Sequence, residues 1–281
     1  MIWKFRDREF DLSERGLIVG ILNTTPDSFS DGGLFLDPNE AVKHGLKLIG
    51  DGADILDVGG ESTRPGSAPV AVEEEMRRIL PVITALRSVT DVPLSIDSSK
   101  AAVAEAALEA GADIINDVTA LQGDPKMGEV ASSRGAGLIL MHMQGSPETM
   151  QRNPTYADDD VVSEVAKFLS ERRDAALGFG VDAAVIILDP GLGFGKTTAH
   201  NLALLHGIPE LVTLGSPLMI AHSRKSFLGK IPGLGASLDR GLSAGVALTG
   251  LAYASGARLF RVHEPAPYRE ALRVTEAILG A

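Results

Sequence analysis

Residues 17–23 read Leu-Ile-Val-Gly-Ile-Leu-Asn, a run without a polar side chain that ends abruptly at an amide. A strand with one wet face alternates apolar and polar residues. A strand without alternation is covered on both faces, as inside a parallel sheet flanked by helices. The same phrase recurs along the chain. Short, mostly β-branched runs stop at Asp57, at Asp97, at Asn116 and Asp117, at His142, at Asp189, at residues 222–225 (His-Ser-Arg-Lys) and at Arg261 and His263. With the first, that makes eight runs, each collecting polar chemistry at its C-terminal end. Parallel α/β enzymes keep their active sites at that end of the strands.

The stretches between the runs carry helix punctuation. Asp37-Pro38-Asn39-Glu40 supplies an N-cap acid, a Pro at the first helical position and a Glu at the third, opening a helix toward Gly50. Gly52, Gly111, Gly135, Gly180 and Gly256 each stand shortly before an apolar run, where a glycine in the left-handed conformation closes one helix and releases the chain into the next strand. The repetition predicts an α/β fold, a single (β/α)8 TIM barrel spanning residues 1–281, with an open doubly wound sheet as the alternative. Residues 2–12 alternate in the manner of a β-hairpin, expected to close the barrel base. Pro81, inside a helical stretch at 72–88, is expected to break or kink that helix.

Composition narrows the function. A chain of 281 residues with 44% apolar side chains can bury a large core, and a net charge of −11 argues against binding nucleic acid or an acidic membrane through bulk charge. No Cys is present, which removes disulfides and thiolate chemistry. Residues 1–16 are too charged for a signal peptide, and no apolar run is long enough for a bilayer, so a cytoplasmic protein is expected.

Two joints are long. Residues 23–36 and 59–71 exceed the usual length of a strand-to-helix connection and read as lids or binding loops. Thr63 and Arg64 in the second are suitable anion ligands, the guanidinium offering paired donors. Lys225, in the tetrad Ser223-Arg224-Lys225-Ser226, and Arg261 and His263 lie at the seventh and eighth strand ends, where barrels customarily hold phosphate. These three are expected to meet Arg64 around an anion. The acids Asp97 and Asp189, with Asn116, suit a flat heterocycle with a guanidine-like edge, because one carboxylate accepts two parallel N–H bonds and an amide both donates and accepts. Taken singly, Asp57, Asp97 and Asp117 could each merely cap the following helix. The segment Leu188-Asp-Pro-Gly-Leu-Gly-Phe-Gly-Lys196-Thr197 invites a nucleotide reading but fails on glycine spacing: Pro190 stands where a P-loop needs Gly. A zinc site is disfavoured by the scatter of the histidines, and Mg²⁺ riding on a diphosphate suits the chain better, with Asn23 and Asp31 as candidate ligands.

The ordered motifs resemble those of the dihydropteroate synthases. The resemblance rests on residues 21–33 (Ile-Leu-Asn-Thr-Thr-Pro-Asp-Ser-Phe-Ser-Asp-Gly-Gly), 57–66 (Asp-Val-Gly-Gly-Glu-Ser-Thr-Arg-Pro-Gly), Ser95-Ile-Asp97, Ile115-Asn-Asp117, 141–151, 188–196, Ser223-Arg-Lys-Ser226 and Arg261-Val-His263. What it implies is condensation of 6-hydroxymethyl-7,8-dihydropterin diphosphate with p-aminobenzoate, releasing 7,8-dihydropteroate and diphosphate. Carried over motif by motif, Asp97, Asn116, Asp189 and Lys225 are expected to hold the pterin. Asn23, Thr63, Arg64, Arg261 and His263 are expected at the diphosphate, with Mg²⁺ on Asn23. Thr63, Pro65, Phe194 and Ser226 should face p-aminobenzoate, joined by Phe29 and Asp31 when the first loop closes. The family is typically dimeric, so a homodimer is expected. The apolar segment 242–253 reads as core helix or as interface.

The chain departs from the family pattern at Thr24, Ser98, Ala221-His222 and Glu264-Pro265, without losing a predicted ligand. A noncatalytic pterin binder or a methyltetrahydrofolate-dependent corrinoid methyltransferase would have no use for the Ser-Thr-Arg-Pro loop together with the Ser-Arg-Lys-Ser tetrad.

Overall fold

The computed structural model describes residues 1–24, 38–62, 66–146, 149–157, 160–231, 233 and 238–280. Two strands, β1 (Ile2–Phe5) and β2 (Arg8–Asp11), form an antiparallel hairpin. The barrel strands follow as β3 (Leu17–Asn23), β4 (Ile55–Gly59), β5 (Leu94–Asp97), β6 (Ile114–Asp117), β7 (Gly137–Met141), β8 (Ile186–Asp189), β9 (Met219–Ala221) and β10 (Leu259–Val262). Between and after them run α1 (Pro38–Gly50), α2 (Val72–Arg87), α3 (Ala101–Glu109), α4 (Met127–Arg134), α5 (Val161–Gly178), α6 (Thr198–His206), α7 (Ile208–Val212), α8 (Leu238–Ala254) and α9 (Pro265–Leu279).

Every residue of β4 to β9 is buried, which is why their sequences show no alternation. The strands pair in parallel in the order β8-β7-β6-β5-β4-β3-β10-β9. A parallel bridge between Leu188 and Leu218, supported by Leu188 N–H donating to Pro217 O at 3.0 Å, brings the two end strands together. The result is the eight-stranded parallel barrel with surrounding helices that the repeated units predicted. The glycines at the predicted helix-to-strand joints do take positive φ, from +56° at Gly135 to +115° at Gly111.

The hairpin covers the barrel base. Trp3 is fully buried and its indole N–H donates to Val185 O at 3.0 Å, beside the entrance of β8, while Arg6 N–H reaches Gly135 O before β7. Pro81 does not break α2, which runs unbroken from Val72 to Arg87. The residue lies on the exposed face, where the carbonyl left without a helical N–H can turn to solvent. Among the described residues, no helix is long and apolar enough to cross a membrane.

Candidate active site

Strand register assembles the site. Asn23 pairs with Gly59, Gly59 with Asp97, and Asp97 with Asn116, so one row crosses β3, β4, β5 and β6 at their C-terminal ends. Neighbouring residues in register share a face of the sheet. Gly59 contributes no side chain to that face: a Cβ there would lie 3.5 Å from Asn23 Oδ1 and 3.6 Å from Asp97 Cβ. The glycine thus sets the Asn23 amide and the Asp97 carboxylate on either side of a position that carries no side chain.

Arg261, on β10 beside β3, reaches over to this row. Its Nε donates to Asp57 Oδ2 at 2.6 Å and its Nη2 to Asp97 Oδ2 at 2.7 Å. Asn116 Nδ2 donates to the same Asp57 oxygen at 3.1 Å, leaving the Asn116 carbonyl as an acceptor. The second oxygens of both acids, Asp57 Oδ1 and Asp97 Oδ1, are buried, and no described residue donates to them. The Ser95 hydroxyl, the register partner of Asp57, is likewise buried without a bond. Burial pushes the Asp97 carboxyl up to about 7, against the pull of Arg261 and with the added repulsion of Asp57. An unmade hydrogen bond at a buried polar atom costs about 1–3 kcal/mol, so the cluster is poised for a ligand rich in N–H donors.

Across from the row, Asp189 is almost wholly buried and accepts Gly191 N–H at 2.7 Å. Burial raises its pKa, opposed first by that bond and then by Lys225 and Arg261. The Lys225 ammonium lies 4.1 Å from the centroid of the Phe194 ring. Burial brings it down to about 8, with Asp189 pulling it back up and Arg261 pressing it further down. Beside them Lys196 Nζ meets His142 Nδ1 at 2.8 Å and donates to Phe194 O at 3.0 Å. At the rim, the Ser223 hydroxyl oxygen lies 3.2 Å from His263 Nδ1 and 3.4 Å from Tyr268 OH. Ser226 is exposed next to the half-buried Lys225.

The structure therefore brings together Asn23, Asp97, Asn116 and Arg261 on one side and Asp189, Phe194 and Lys225 on the other. It does not keep acids and cations apart, as the sequence suggested. Arg261 is drawn into the acidic side by the two buried carboxylates of Asp57 and Asp97. Phe29, Asp31, Thr63, Arg64 and Pro65 lie outside the described residues, and so does the expected meeting of Arg64 with the other cations. Of the three acids that could have been mere helix caps, none caps the following helix: Asp117 instead holds the turn after β6, accepting the N–H groups of Thr119 and Leu121, while α4 begins only at Met127. Asp57 joins the site as well, the signal in the sequence being an acid within the apolar run 55–58 that has to find a partner. The Lys196 and His142 pair carries no linear signal, because 54 residues separate the two in the chain.

The departures from the family pattern have local explanations. Thr24 is buried and its hydroxyl donates to Gly59 O at 3.1 Å, knitting β3 to β4. His222 is fully buried, 2.8 Å from Thr249 Oγ1, and burial lowers its pKa to about 4. Glu264 pairs with Arg224, and Pro265 opens α9 where its missing N–H costs nothing.

Known proteins share both the sequence and this frame. The family model described as pterin binding enzyme matches residues 19–263. A dihydropteroate synthase of Synechocystis is 44% identical over 269 residues, covering 96% of this chain and 92% of that protein. That of Escherichia coli is 44% identical over 264 residues, covering 94% and 92%. The chain belongs to the dihydropteroate synthase family. With that family it is a transferase of folate biosynthesis. Solved members superpose closely. The dihydropteroate synthase of Yersinia pestis, in a complex with a sulfonamide drug, has a TM-score of 0.92 at 40% identity and full coverage of both chains. That of Xanthomonas albilineans with 4-aminobenzoic acid has a TM-score of 0.91 at 44% identity, covering 100% and 98%. The same enzyme has also been solved in complex with 7,8-dihydropteroate, at a TM-score of 0.88 and 41% identity over both full chains.

Proposed function

We propose that this chain condenses 6-hydroxymethyl-7,8-dihydropterin diphosphate with p-aminobenzoate by dissociative substitution at the pterin methylene. The observation that carries this reading is the pair of buried, unpartnered oxygens Asp57 Oδ1 and Asp97 Oδ1 beside the Asn116 amide. A pterin edge presents the adjacent N–H donors and carbonyl that such a set of groups accepts and donates to. Asp97, Asn116 and Asp189 hold the ring, with Lys225 opposite Asp189. The bond between the methylene carbon and the diphosphate oxygen breaks first, and its electron pair leaves with diphosphate. Arg261, His263, Thr63 and Arg64 take the leaving group, and Asp97 stabilises the positive charge developing on the pterin side. The aniline nitrogen of p-aminobenzoate, lying against Thr63, Pro65, Phe194 and Ser226, then forms the new carbon–nitrogen bond and gives up a proton. Phe29 and Asp31 complete the enclosure that keeps water from the cation.

Mg²⁺ fits the site as a ligand of the diphosphate held by few protein atoms. The Asn23 amide oxygen faces the gap over Gly59, a hard neutral donor of the type Mg²⁺ accepts. Bound there, the ion would neutralise charge on the departing diphosphate. Two copies of the chain are proposed to pair through α8 and α9, which pack side by side and leave Leu251 and Ile278 about 70% exposed, with Val274 and Leu279 close behind.

The decisive experiment measures diphosphate release with each substrate omitted in turn. Release that requires both substrates is the expected result. Tight pterin binding with no release would mean a binding protein instead.

A further inference from the structure

The Gly-rich turn after β8 is held at nearly every peptide. Gly193 N–H donates to Asn201 Oδ1 at 2.7 Å, Gln151 Nε2 to Gly193 O at 2.5 Å, and Tyr156 OH to Gly195 O at 2.8 Å. At Gly191, with φ +66°, a Cβ would lie 1.9 Å from His142 O, so this turn is pressed against the end of β7. Within this bracing, Lys196 is the group that reaches the carbonyl of Phe194 itself, at 3.0 Å, and joins it to His142 Nδ1 at 2.8 Å. The His142 ring is in turn wedged edge-on against Phe168, with centroids 4.8 Å apart.

Lys196 is 3% exposed, and its hydrogen bonds go to a carbonyl and an imidazole, not to a carboxylate. A buried amine that hydrogen-bonds no carboxylate is costly, and Asp189 offsets that cost only through space. Burial lowers its pKa well below the usual lysine value. A neutral amine still has two N–H groups, as many as its two short bonds use, so the strut holds in either protonation state. What it holds matters at the site, because the Phe194 ring is the surface on which the Lys225 ammonium rests, 4.1 Å from its centroid.

We propose that Lys196, braced on His142, is a positioning residue for the aryl-amine half of the site: it fixes the Phe194 ring, and through it Lys225, before p-aminobenzoate arrives. This rests on the reading above that Phe194 faces p-aminobenzoate. The test is steady-state diphosphate release with each substrate varied separately, in Lys196→Met, His142→Leu, His142→Gln and Phe194→Ala. Lys196→Met and His142→Leu should raise KM for p-aminobenzoate about tenfold while KM for the pterin diphosphate moves less than about twofold. His142→Gln, which keeps an acceptor for Nζ, should recover most of that loss. Should Lys196→Met fail to fold, the two His142 variants carry the comparison. Equal increases in both KM values, unchanged KM values, or no difference between His142→Leu and His142→Gln would overturn the proposal while Phe194→Ala still raises KM for p-aminobenzoate. If Phe194→Ala leaves that KM unchanged, the placement of Phe194 fails, and the role of Lys196 with it.

Discussion

Arg261 Nη2 lies 2.7 Å from Asp97 Oδ2, although 164 residues separate the two in the chain. The same guanidinium is forked onto Asp57 through Nε, so one cation on β10 ties together the ends of β4 and β5. A fork of this kind needs a planar group with two aligned donors, which lysine lacks. The arrangement fixes a positive charge between two buried carboxylates before any substrate binds.

Arg261→Ala should lower kcat/KM for the pterin diphosphate by about a hundredfold or more, the usual cost of removing a preorganised charge from a transition state. It should also leave Asp57 and Asp97 buried beside each other without a counter-charge, a loss of about 3–5 kcal/mol. Diphosphate release and urea unfolding measure the two effects separately. Unchanged turnover would sink the assignment of Arg261 to the leaving group.

The pH profile of kcat/KM should be bell-shaped. As pH falls below about 7, Asp97 takes up a proton and loses the charge that stabilises the pterin cation. As pH rises through about 8, Lys225 gives up its proton and Asp189 loses a neighbouring positive charge. The limbs belong to the free enzyme, because kcat/KM reports that state. Lys225→Met should remove the alkaline limb and keep the acid one.

Stability should carry the signature of Asp97 as well. In the unfolded chain this carboxyl ionises near 3.8, whereas in the fold it keeps its proton to about 7. Between those values the folded state binds more protons than the unfolded state, so the Asp97 contribution makes stability fall as pH rises from about 4 to 7 and level off above. Asp97→Asn, which cannot ionise, should flatten that slope. Urea unfolding of both proteins at pH 5 and pH 7.5 provides the comparison, and identical slopes would show that Asp97 titrates normally.

Gly191→Ala should be among the most damaging single changes. The backbone there sits at φ +66°, and the new methyl group would fall 1.9 Å from His142 O, so the turn and the strand end cannot both keep their places. A loss of about 3 kcal/mol or more is expected, read as a fall in thermal midpoint, together with a rise in KM for p-aminobenzoate as Phe194 moves.

Removing Mg²⁺ with a chelator should abolish turnover, and Asn23→Ala should raise the Mg²⁺ concentration needed for half-maximal rate by about tenfold, with stability little changed because Asn23 is only half-buried. Titrating Mg²⁺ at fixed substrate concentrations distinguishes this from a general loss of activity. An unaltered Mg²⁺ requirement in Asn23→Ala would remove Asn23 from the metal site.

Much of this molecule is readable from its sequence. Strands buried on both faces cannot alternate, so the runs at 17–22, 55–56 and 185–188 announce a parallel sheet before any contact is known. Glycines such as Gly111 and Gly256 mark the helix ends because only they take positive φ cheaply there. The order of the polar strand ends is a linear property, and it placed Asp97, Asn116, Asp189, Lys225 and Arg261 around one mouth. Pairing between those ends is not linear. Asp57 meets Arg261 across 204 residues, and Lys196 meets His142 across 54, because strand pairing sets β4 and β10 on either side of β3 and the turn after β8 folds onto the end of β7. The sequence determined which chemistry stands at each strand tip. Only the closed barrel, by burying two acids in reach of one guanidinium, decided that the acidic and cationic groups form a single connected site.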